Sequence, residues 1–218
     1  MRRLARRLFP PSAQQAGFSV IEVSVALILS AMVAGSLVGL MHSLSQNASD
    51  AGRTADLQRT GRAVVAGLVM DLRQAQAVTA NGYPIDSLSA DRIVFYSDRA
   101  EMEGPERIVY ERTSCAAGLC QLRVTRYAAV AGSGPEWAFQ GVPFENRVVM
   151  ERVRNDQPLF RGAAWTGTPP TRTFVSACSG TCSFPLVAIR LRALPEGTSV
   201  GAMQTLEIAD QVEFRNAG

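Results

Sequence analysis

The stretch Gly17-Phe18-Ser19-Val20-Ile21-Glu22-Val23 opens an apolar run that continues to about Met41. Coiled as a helix, residues 18–41 would reach about 36 Å, which is enough to cross a hydrocarbon core of ~30 Å. Glu22 is the one charged residue in this run. Because a carboxylate at membrane depth costs on the order of 2 to 3 kcal/mol, the sequence predicts that Glu22 has a partner supplied by another molecule.

The segment before this run, residues 1–17, is basic. Arg2, Arg3, Arg6 and Arg7 lie within its first seven residues, and two prolines and a polar stretch follow. This composition predicts a targeting leader and not an element of the fold. Arginines at one end of an apolar helix hold that end in the cytoplasm, so we expect the rest of the chain to lie outside.

The N-terminal segment resembles the class III signal of type IV pilins and type II secretion pseudopilins. The shared features are a basic leader, a Gly-Phe junction, a glutamate at the fifth position after the junction and an apolar helix. In that family a prepilin peptidase removes the leader and the new N-terminal residue is methylated. The resemblance implies scission between Gly17 and Phe18, N-methylation of Phe18 and a role for Glu22 in assembly. The alternatives are a secretory signal peptide cleaved near Ala34 or Gly35, and an uncleaved signal anchor.

The net charge of +3 comes from the leader. All 22 basic residues are arginines, and without residues 1–17 the chain carries 18 arginines and 19 acidic residues. The exported part is therefore not a polycation, and its charge does not indicate nucleic-acid binding.

The sequence also lacks the motifs of common catalytic sites. G-x-S-x-G, H-E-x-x-H and the P-loop are absent, and there is no lysine. The one histidine, His42, lies at the end of the apolar run, where an interfacial polar residue is favoured over a metal ligand. We therefore expect a protein without enzymatic activity or a cofactor.

After residue 42 the pattern becomes amphipathic. Arg59, Arg62 and Arg73 fall opposite an apolar helical face. The stop signal Asn81-Gly82 predicts that the helix runs to about Ala80. The apolar face recurs at spacings of three, four and seven residues, at Leu57, Val64, Val65, Leu68, Leu72, Ala75 and Val78.

The rest of the chain alternates with a period of two and predicts a hairpin and further strands. Residues 128–144 are expected to form a loop, and residues 162–185 a long connection without a clear period. The predicted strands are 93–97, 107–112, 121–127, 148–153, 187–193, 205–208 and a closing run at 212–216.

This order predicts an α+β chain in which a long N-terminal helix packs on an antiparallel sheet. The helix has a membrane half, 18–41, and an amphipathic half, 42–80, and the sheet lies in an extracytoplasmic domain, 81–218. The region from Ile93 to Tyr110 and the closing run resemble the larger minor pilins of the W type and the J-type pseudopilins.

Four cysteines form two closely spaced pairs, Cys115 with Cys120 and Cys178 with Cys182. In an exported domain such spacings predict two local disulfides. A single zinc site made from all four thiolates is the alternative, although neither spacing is that of the common C-x2-C motif.

An acidic cluster follows the first predicted strand, at Asp98, Glu101, Glu103 and Glu106. Its spacing is not that of an EF-hand, so a solvated hairpin turn is favoured over a calcium site.

Together these features predict a non-enzymatic subunit, minor or initiating, of a type IV pilus, competence pseudopilus or type II secretion pseudopilus. By resemblance, its partners are other pilin or pseudopilin subunits, the prepilin peptidase, the inner-membrane assembly machinery and, before assembly, membrane lipid. The alternative is a membrane-anchored extracytoplasmic binding or adhesion domain that does not polymerise.

Overall fold

The computed structural model describes residues 18–78, 82–98, 104–133, 136–166, 168, 171–180, 182, 184–198 and 205–214. The chain divides into two compact units, Met1–Asp50 and Ala51–Gly218. The helix α1 (Val20–Arg73) begins in the first unit and ends in the second.

In the first unit, the described residues are Phe18, Ser19 and the N-terminal part of α1, and every one of them is exposed. They include large apolar side chains such as Ile21 and Met32. Among the described residues, α1 is the one helix long and apolar enough to cross a membrane, as the sequence predicts.

In the second unit, the described residues form one antiparallel sheet of ten strands. Their order is β7-β6-β9-β5-β4-β3-β2-β1-β8, with β10 paired to β9. The chain is therefore α+β with a long N-terminal helix, as predicted, and the likeness to the pilin fold stays a prediction. The strands are β1 Ile85–Leu88, β2 Arg92–Ser97, β3 Glu106–Ala116, β4 Leu119–Tyr127, β5 Glu145–Arg154, β6 Phe160–Thr166, β7 Thr171–Val175, β8 Cys178–Ser179, β9 Leu186–Ala193 and β10 Leu206–Glu213.

Strands β2, β3, β4, β5 and β9 occupy the predicted positions. The two predicted segments after residue 204 overlap the single strand β10, which ends at Glu213, and residues 215–216 of the closing run lie outside the described residues. The prediction of an irregular connection over 162–185 is wrong, because this region forms β7, β8 and most of β6. All five residues of β7 are exposed, so this strand has no buried face to produce a period of two.

The helix ends at Arg73 and not near Ala80. Beyond it, Ala75 forms an antiparallel bridge with Ser97, and the Gln76 backbone N–H donates to the Tyr96 carbonyl at 2.9 Å. Pairing with the end of β2 therefore replaces a further turn of helix.

The apolar face of α1 packs on the sheet. Its central residues Val65, Leu68 and Leu72 are buried, and Arg59, Arg62 and Arg73 are exposed, as predicted. Burial of one such leucine contributes about 1.5 to 3 kcal/mol. The sheet side of this core includes Ile93, Phe95, Ile108, Leu122, Val124, Met150, Phe160, Ile189 and Leu191.

Both predicted disulfides are present, Cys115–Cys120 and Cys178–Cys182. The first joins the ends of β3 and β4, where Gly118 has a positive φ of 80° in the turn. Because all four sulfurs are in disulfides, the alternative of a four-thiolate zinc site is wrong.

Gly61 allows α1 to approach the sheet closely. A Cβ atom at this position would lie 2.9 Å from Ile208 Cδ1 and 3.0 Å from Leu206 Cδ2 in β10. A Cβ atom on Gly67, two turns further along, would meet nothing within 4 Å. The two glycines therefore differ in packing although both lie inside the same helix.

Replacement of Gly61 by leucine is expected to lower the free energy of unfolding of the domain by about 1 to 3 kcal/mol, because the added side chain must displace Ile208 and Leu206. The matched Gly67→Leu change should not lower it, since leucine favours helix over glycine by roughly 0.8 kcal/mol. Urea unfolding of the two variants in detergent measures both values. Equal effects would contradict the close approach at Gly61.

Candidate functional site

The predicted processing and assembly segment lies at the start of α1. Phe18 is 86 % exposed, and the helix begins two residues later, at Val20. The Ser19 backbone N–H donates to Glu22 Oε2 at 3.1 Å, and the Ile21 N–H donates to Ser19 Oγ at 3.3 Å. Ser19 and Glu22 thus form a capping box for the helix. Gly17, the residue just before the predicted cleavage point, lies outside the described residues.

Glu22 has one contact within its own chain, since the Ser19 backbone N–H donates a hydrogen bond to the carboxylate. The expected partner from another molecule stays a prediction. A backbone N–H is neutral, so this contact leaves the negative charge of Glu22 without a counter-charge from Ser19.

The other polar residue that the sequence singled out in this region is His42. Its Nε2 atom lies 2.9 Å from Gln46 Nε2, one helical turn further on, and both side chains are exposed. The described residues contain no group of three or more histidine, cysteine or acidic side chains that could hold a metal ion.

A second candidate site lies in the domain, where Arg126 of β4 contacts three carboxylates. Arg126 Nη2 lies 2.8 Å from Asp71 Oδ2, Nη1 lies 3.2 Å from Glu106 Oε2, and Nε lies 3.0 Å from Glu145 Oε2. The Asp71 side chain is fully buried and that of Glu106 is 1 % exposed. We call these four residues, together with Tyr110, the arginine cluster.

Tyr110 completes the arginine cluster from β3. Its hydroxyl donates to Asp71 Oδ2 at 2.9 Å. Burial raises the pKa of Tyr110 well above its usual value near 10, and the adjacent Asp71 carboxylate raises it further. Burial by itself lowers the pKa of Arg126, but Asp71 and the other acidic neighbours outweigh that effect and raise it. Tyr110 therefore stays neutral and Arg126 stays charged at ordinary pH.

The carboxylates of the arginine cluster come from three different elements. Asp71 lies in the last turn of α1, Glu106 begins β3 and Glu145 begins β5. An acid in the last turn of a helix is disfavoured by the helix dipole, and a buried carboxylate needs a counter-charge. Arg126 supplies that charge, so the cluster fixes the end of α1 to the sheet.

The sequence contained signals for the arginine cluster that the prediction missed. Asp71 lies between Leu68 and Leu72 on the apolar face of the helix, where an acid is unexpected. Arg126 alternates with Leu122 and Val124, so the period of two places it on the core face of β4.

The arginine cluster also corrects the interpretation of the acidic turn. Glu106 was predicted to lie in a solvated turn or a calcium site, but its carboxylate is buried against Arg126. Glu101 and Glu103 lie outside the described residues, and Asp98 is exposed. Glu106 is therefore not available as a ligand at the surface.

A groove of about 450 Å³ lies beside the arginine cluster, between α1 and the sheet. Ala63, Val64 and Gly67 form its helix side, and Tyr110 and Val149 form its sheet side. The remaining lining residues are polar or charged: Asp56, Arg59, Thr60 and Arg147.

Comparison of this chain with family models, with curated proteins and with solved structures finds no match.

Replacement of Arg126 by methionine is expected to lower the free energy of unfolding by about 3 to 5 kcal/mol, because Asp71 and Glu106 would stay buried without their counter-charge. Arg123→Met in the same strand is the control, since Arg123 is bonded to Asn146 at the surface and should contribute less than about 1 kcal/mol. Urea unfolding of both variants provides the comparison. Similar losses in the two would show that the cluster does not anchor the helix.

Proposed function

We propose that this chain is a pilin-like subunit of an extracytoplasmic filament, without enzymatic activity and processed by a prepilin peptidase. The observation that carries the proposal is the Gly17-Phe18 junction, followed by Glu22 and by a helix that continues without a break from Val20 to Arg73. A secretory signal peptide would be removed with its apolar run. A plain membrane anchor requires neither the junction nor the glutamate.

The exposure of the N-terminal part of α1 supports an assembly role for it. Its large apolar side chains are roughly half to nine-tenths exposed, and a surface of this kind needs a partner, either lipid or protein. In the proposed mechanism it lies in the membrane before assembly. It then exchanges lipid for the helices of neighbouring subunits, while the sheet domain lies outside.

Two further features agree with an extracytoplasmic domain. The leader arginines favour a cytoplasmic N-terminus, and two disulfides are typical of an oxidising compartment. The partners in this proposal are the prepilin peptidase, inner-membrane assembly machinery and other pilin or pseudopilin subunits.

Within the filament we assign the chain to the minor or initiating subunits. Domain size and loop content favour this assignment, since the described residues of the domain form a sheet of ten strands. The region from Ile93 to Tyr110 also resembles the W-type pilins and J-type pseudopilins. The filament is a type IV pilus, a competence pseudopilus or a type II secretion pseudopilus.

Processing distinguishes this proposal from the alternative of a membrane-anchored binding domain that never polymerises. Mass spectrometry of the N-terminal peptide from the native host should find a mature chain that begins at N-methylated Phe18. A chain that begins at Met1 would support a plain anchor, and one that begins near Gly35 would support a secretory signal. Either of these results would overturn the filament proposal.

Replacement of Glu22 by valine is expected to leave membrane insertion and leader cleavage intact and to remove the chain from filaments. The physical reason is that the carboxylate can pair with the amino group that cleavage creates on Phe18 of a neighbouring subunit. The amount of the variant in sheared filaments, relative to the amount in membranes, measures this.

Glu22→Gln separates this pairing from the capping box. Glutamine keeps an acceptor for the Ser19 N–H but carries no charge. If charge pairing admits the subunit, glutamine should be as defective as valine. Normal incorporation of the glutamine variant would assign the role of Glu22 to capping.

A further inference from the structure

The hairpin that joins β3 to β4 ends in a tip, residues 114–118, whose backbone is unusual. Ala117 and Gly118 form a two-residue turn between the paired strands. Their φ angles are 49° and 80°, and positive values at both positions are typical of a type I′ turn. Ser114, where the register of the two strands shifts, also has a positive φ, of 51°. The tip therefore holds two residues other than glycine in the left-handed region, which L-amino acids disfavour.

The sequence of the tip does not favour this conformation by itself. A type I′ turn prefers asparagine, aspartate or glycine at its first position, because these residues tolerate a positive φ. Ala117 has a Cβ atom and no polar side chain that could bond to the backbone, so its left-handed conformation costs free energy. The Cys115–Cys120 disulfide spans the tip and is the bond that can hold it in this conformation.

The two disulfides differ in their access to solvent. Cys115 is exposed together with its neighbours in the tip, whereas Cys120 is 2 % exposed. In the second disulfide Cys178 is half-buried and Cys182 is 1 % exposed. Strand β8, which begins at Cys178, also pairs with β1. A reagent in solution therefore reaches a sulfur of the first disulfide more easily than one of the second.

Backbone pairing connects the tip to the end of β5. Cys120 pairs with Val153 of β5. Just after that strand, the Asn155 N–H donates to the Gly118 carbonyl at 3.3 Å. A change in the conformation of the tip would therefore alter the end of β5 as well.

We propose that the Cys115–Cys120 disulfide is a redox-sensitive latch for the tip. When the disulfide is formed, it holds the tip in its left-handed conformation and in register with β5. When it is reduced, Ser114 and Ala117 return to ordinary backbone conformations and the tip separates from the end of β5. The Cys178–Cys182 disulfide stays closed under the same conditions and keeps β8 on β1.

The latch opens by thiol–disulfide exchange with a dithiol, such as a dithiol protein of the extracytoplasmic compartment. A thiolate of the dithiol attacks the exposed Cys115 Sγ, the Cys115–Cys120 bond breaks, and Cys120 leaves as a thiolate that takes up the proton of the attacking thiol. The second thiol of the dithiol then displaces Cys115 from the mixed disulfide. Both cysteines end as thiols, and the dithiol, which supplied the two electrons, ends as a disulfide.

This latch goes beyond the proposed filament function and does not depend on it. It requires only a compartment in which thiols and disulfides exchange, and the presence of two disulfides is typical of such a compartment. Failure of the tests below would remove the latch and leave the filament proposal, which is tested at the N-terminus, as it stands.

Partial reduction of the folded full-length protein in detergent tests the difference between the two disulfides. Dithiothreitol is the probe, and samples taken at intervals are alkylated and digested with trypsin. Because all basic residues are arginines, one tryptic peptide, 113–123, contains Cys115 and Cys120, and another, 173–190, contains Cys178 and Cys182. Alkylation should appear in peptide 113–123 at least about ten-fold faster than in peptide 173–190.

The same measurement in urea shows whether the fold causes the difference. The unfolded chain exposes all four sulfurs, so the two peptides should then be alkylated at similar rates. Equal rates in the folded protein, or faster reduction of Cys178–Cys182, would overturn the proposal. A difference that persists in urea would come from the local sequence and would also contradict it.

Hydrogen exchange followed by mass spectrometry tests the effect on the tip. Cys115→Ser combined with Cys120→Ser represents the open latch in the full-length chain. Exchange of the backbone amides in residues 113–123 and at the end of β5 should rise about ten-fold relative to the unchanged protein, whereas exchange in β9 should not. Unchanged exchange in the tip would show that the disulfide does not hold it. An equal rise in β9 would show a general loss of stability, and either result would overturn the latch.

Ala117→Gly, added to the double-serine variant, tests whether the left-handed turn is what the disulfide holds. Glycine adopts a positive φ without steric cost, so this change should remove most of the rise in exchange. Ala116→Gly is the matched control, because Ala116 lies beside the turn at the end of β3 and has no positive φ. It should leave the rise as it is. Equal effects of the two glycines, or no effect of Ala117→Gly, would contradict the proposal.

Discussion

Arg126 is the constraint on which the packing of the domain depends. It contacts Asp71, Glu106 and Glu145 together, and these carboxylates lie at the end of α1, the start of β3 and the start of β5. Apolar packing alone fixes the distance between a helix and a sheet more firmly than the position of the helix along it. A buried carboxylate that must reach one guanidinium removes that freedom, because a shift of one turn would leave two charges unpaired. The end of the helix at Arg73 and the bridge from Ala75 to Ser97 follow directly after this fixed point.

The helix therefore presents two different surfaces to its surroundings. Beyond Gly61 its apolar face is satisfied by the sheet, with Val65, Leu68 and Leu72 buried. In the first unit the helix exposes all of its described apolar side chains, and the described residues of that unit contain no second element to cover them. An exposed apolar surface of this kind needs a partner, either lipid or protein. That requirement is the physical reason for the proposal that the helix lies first in a membrane and then in an assembly.

The sequence predicted most of this fold because the deciding signals are local. The strands near Ile93 and Val124 alternate cleanly, and the cysteine spacings determined the two disulfides. The parts that failed depend on tertiary contacts. Strand β7 has no buried face, so its sequence shows no period of two. It forms because its backbone pairs with that of β6. The arginine cluster joins residues 55 positions apart in the sequence, so no window shows it, although Asp71 on an apolar face marked one end of it.

The capping box at the start of α1 changes how the charge of Glu22 is balanced. The hydrogen bond from the Ser19 N–H to Glu22 stabilises the helix start by roughly 1 kcal/mol. A carboxylate at membrane depth costs on the order of 2 to 3 kcal/mol, which is more. The hydrogen bond therefore offsets only part of the cost of the charge at membrane depth, and a nearby cation would stabilise the Glu22 carboxylate further. Removal of a leader at Gly17 would create such a cation one residue before Ser19. The Ser19 N–H already holds the Glu22 carboxylate near the start of the helix. The new amino group of Phe18 in the same chain and the Phe18 amino group of a neighbouring subunit would therefore compete for this carboxylate.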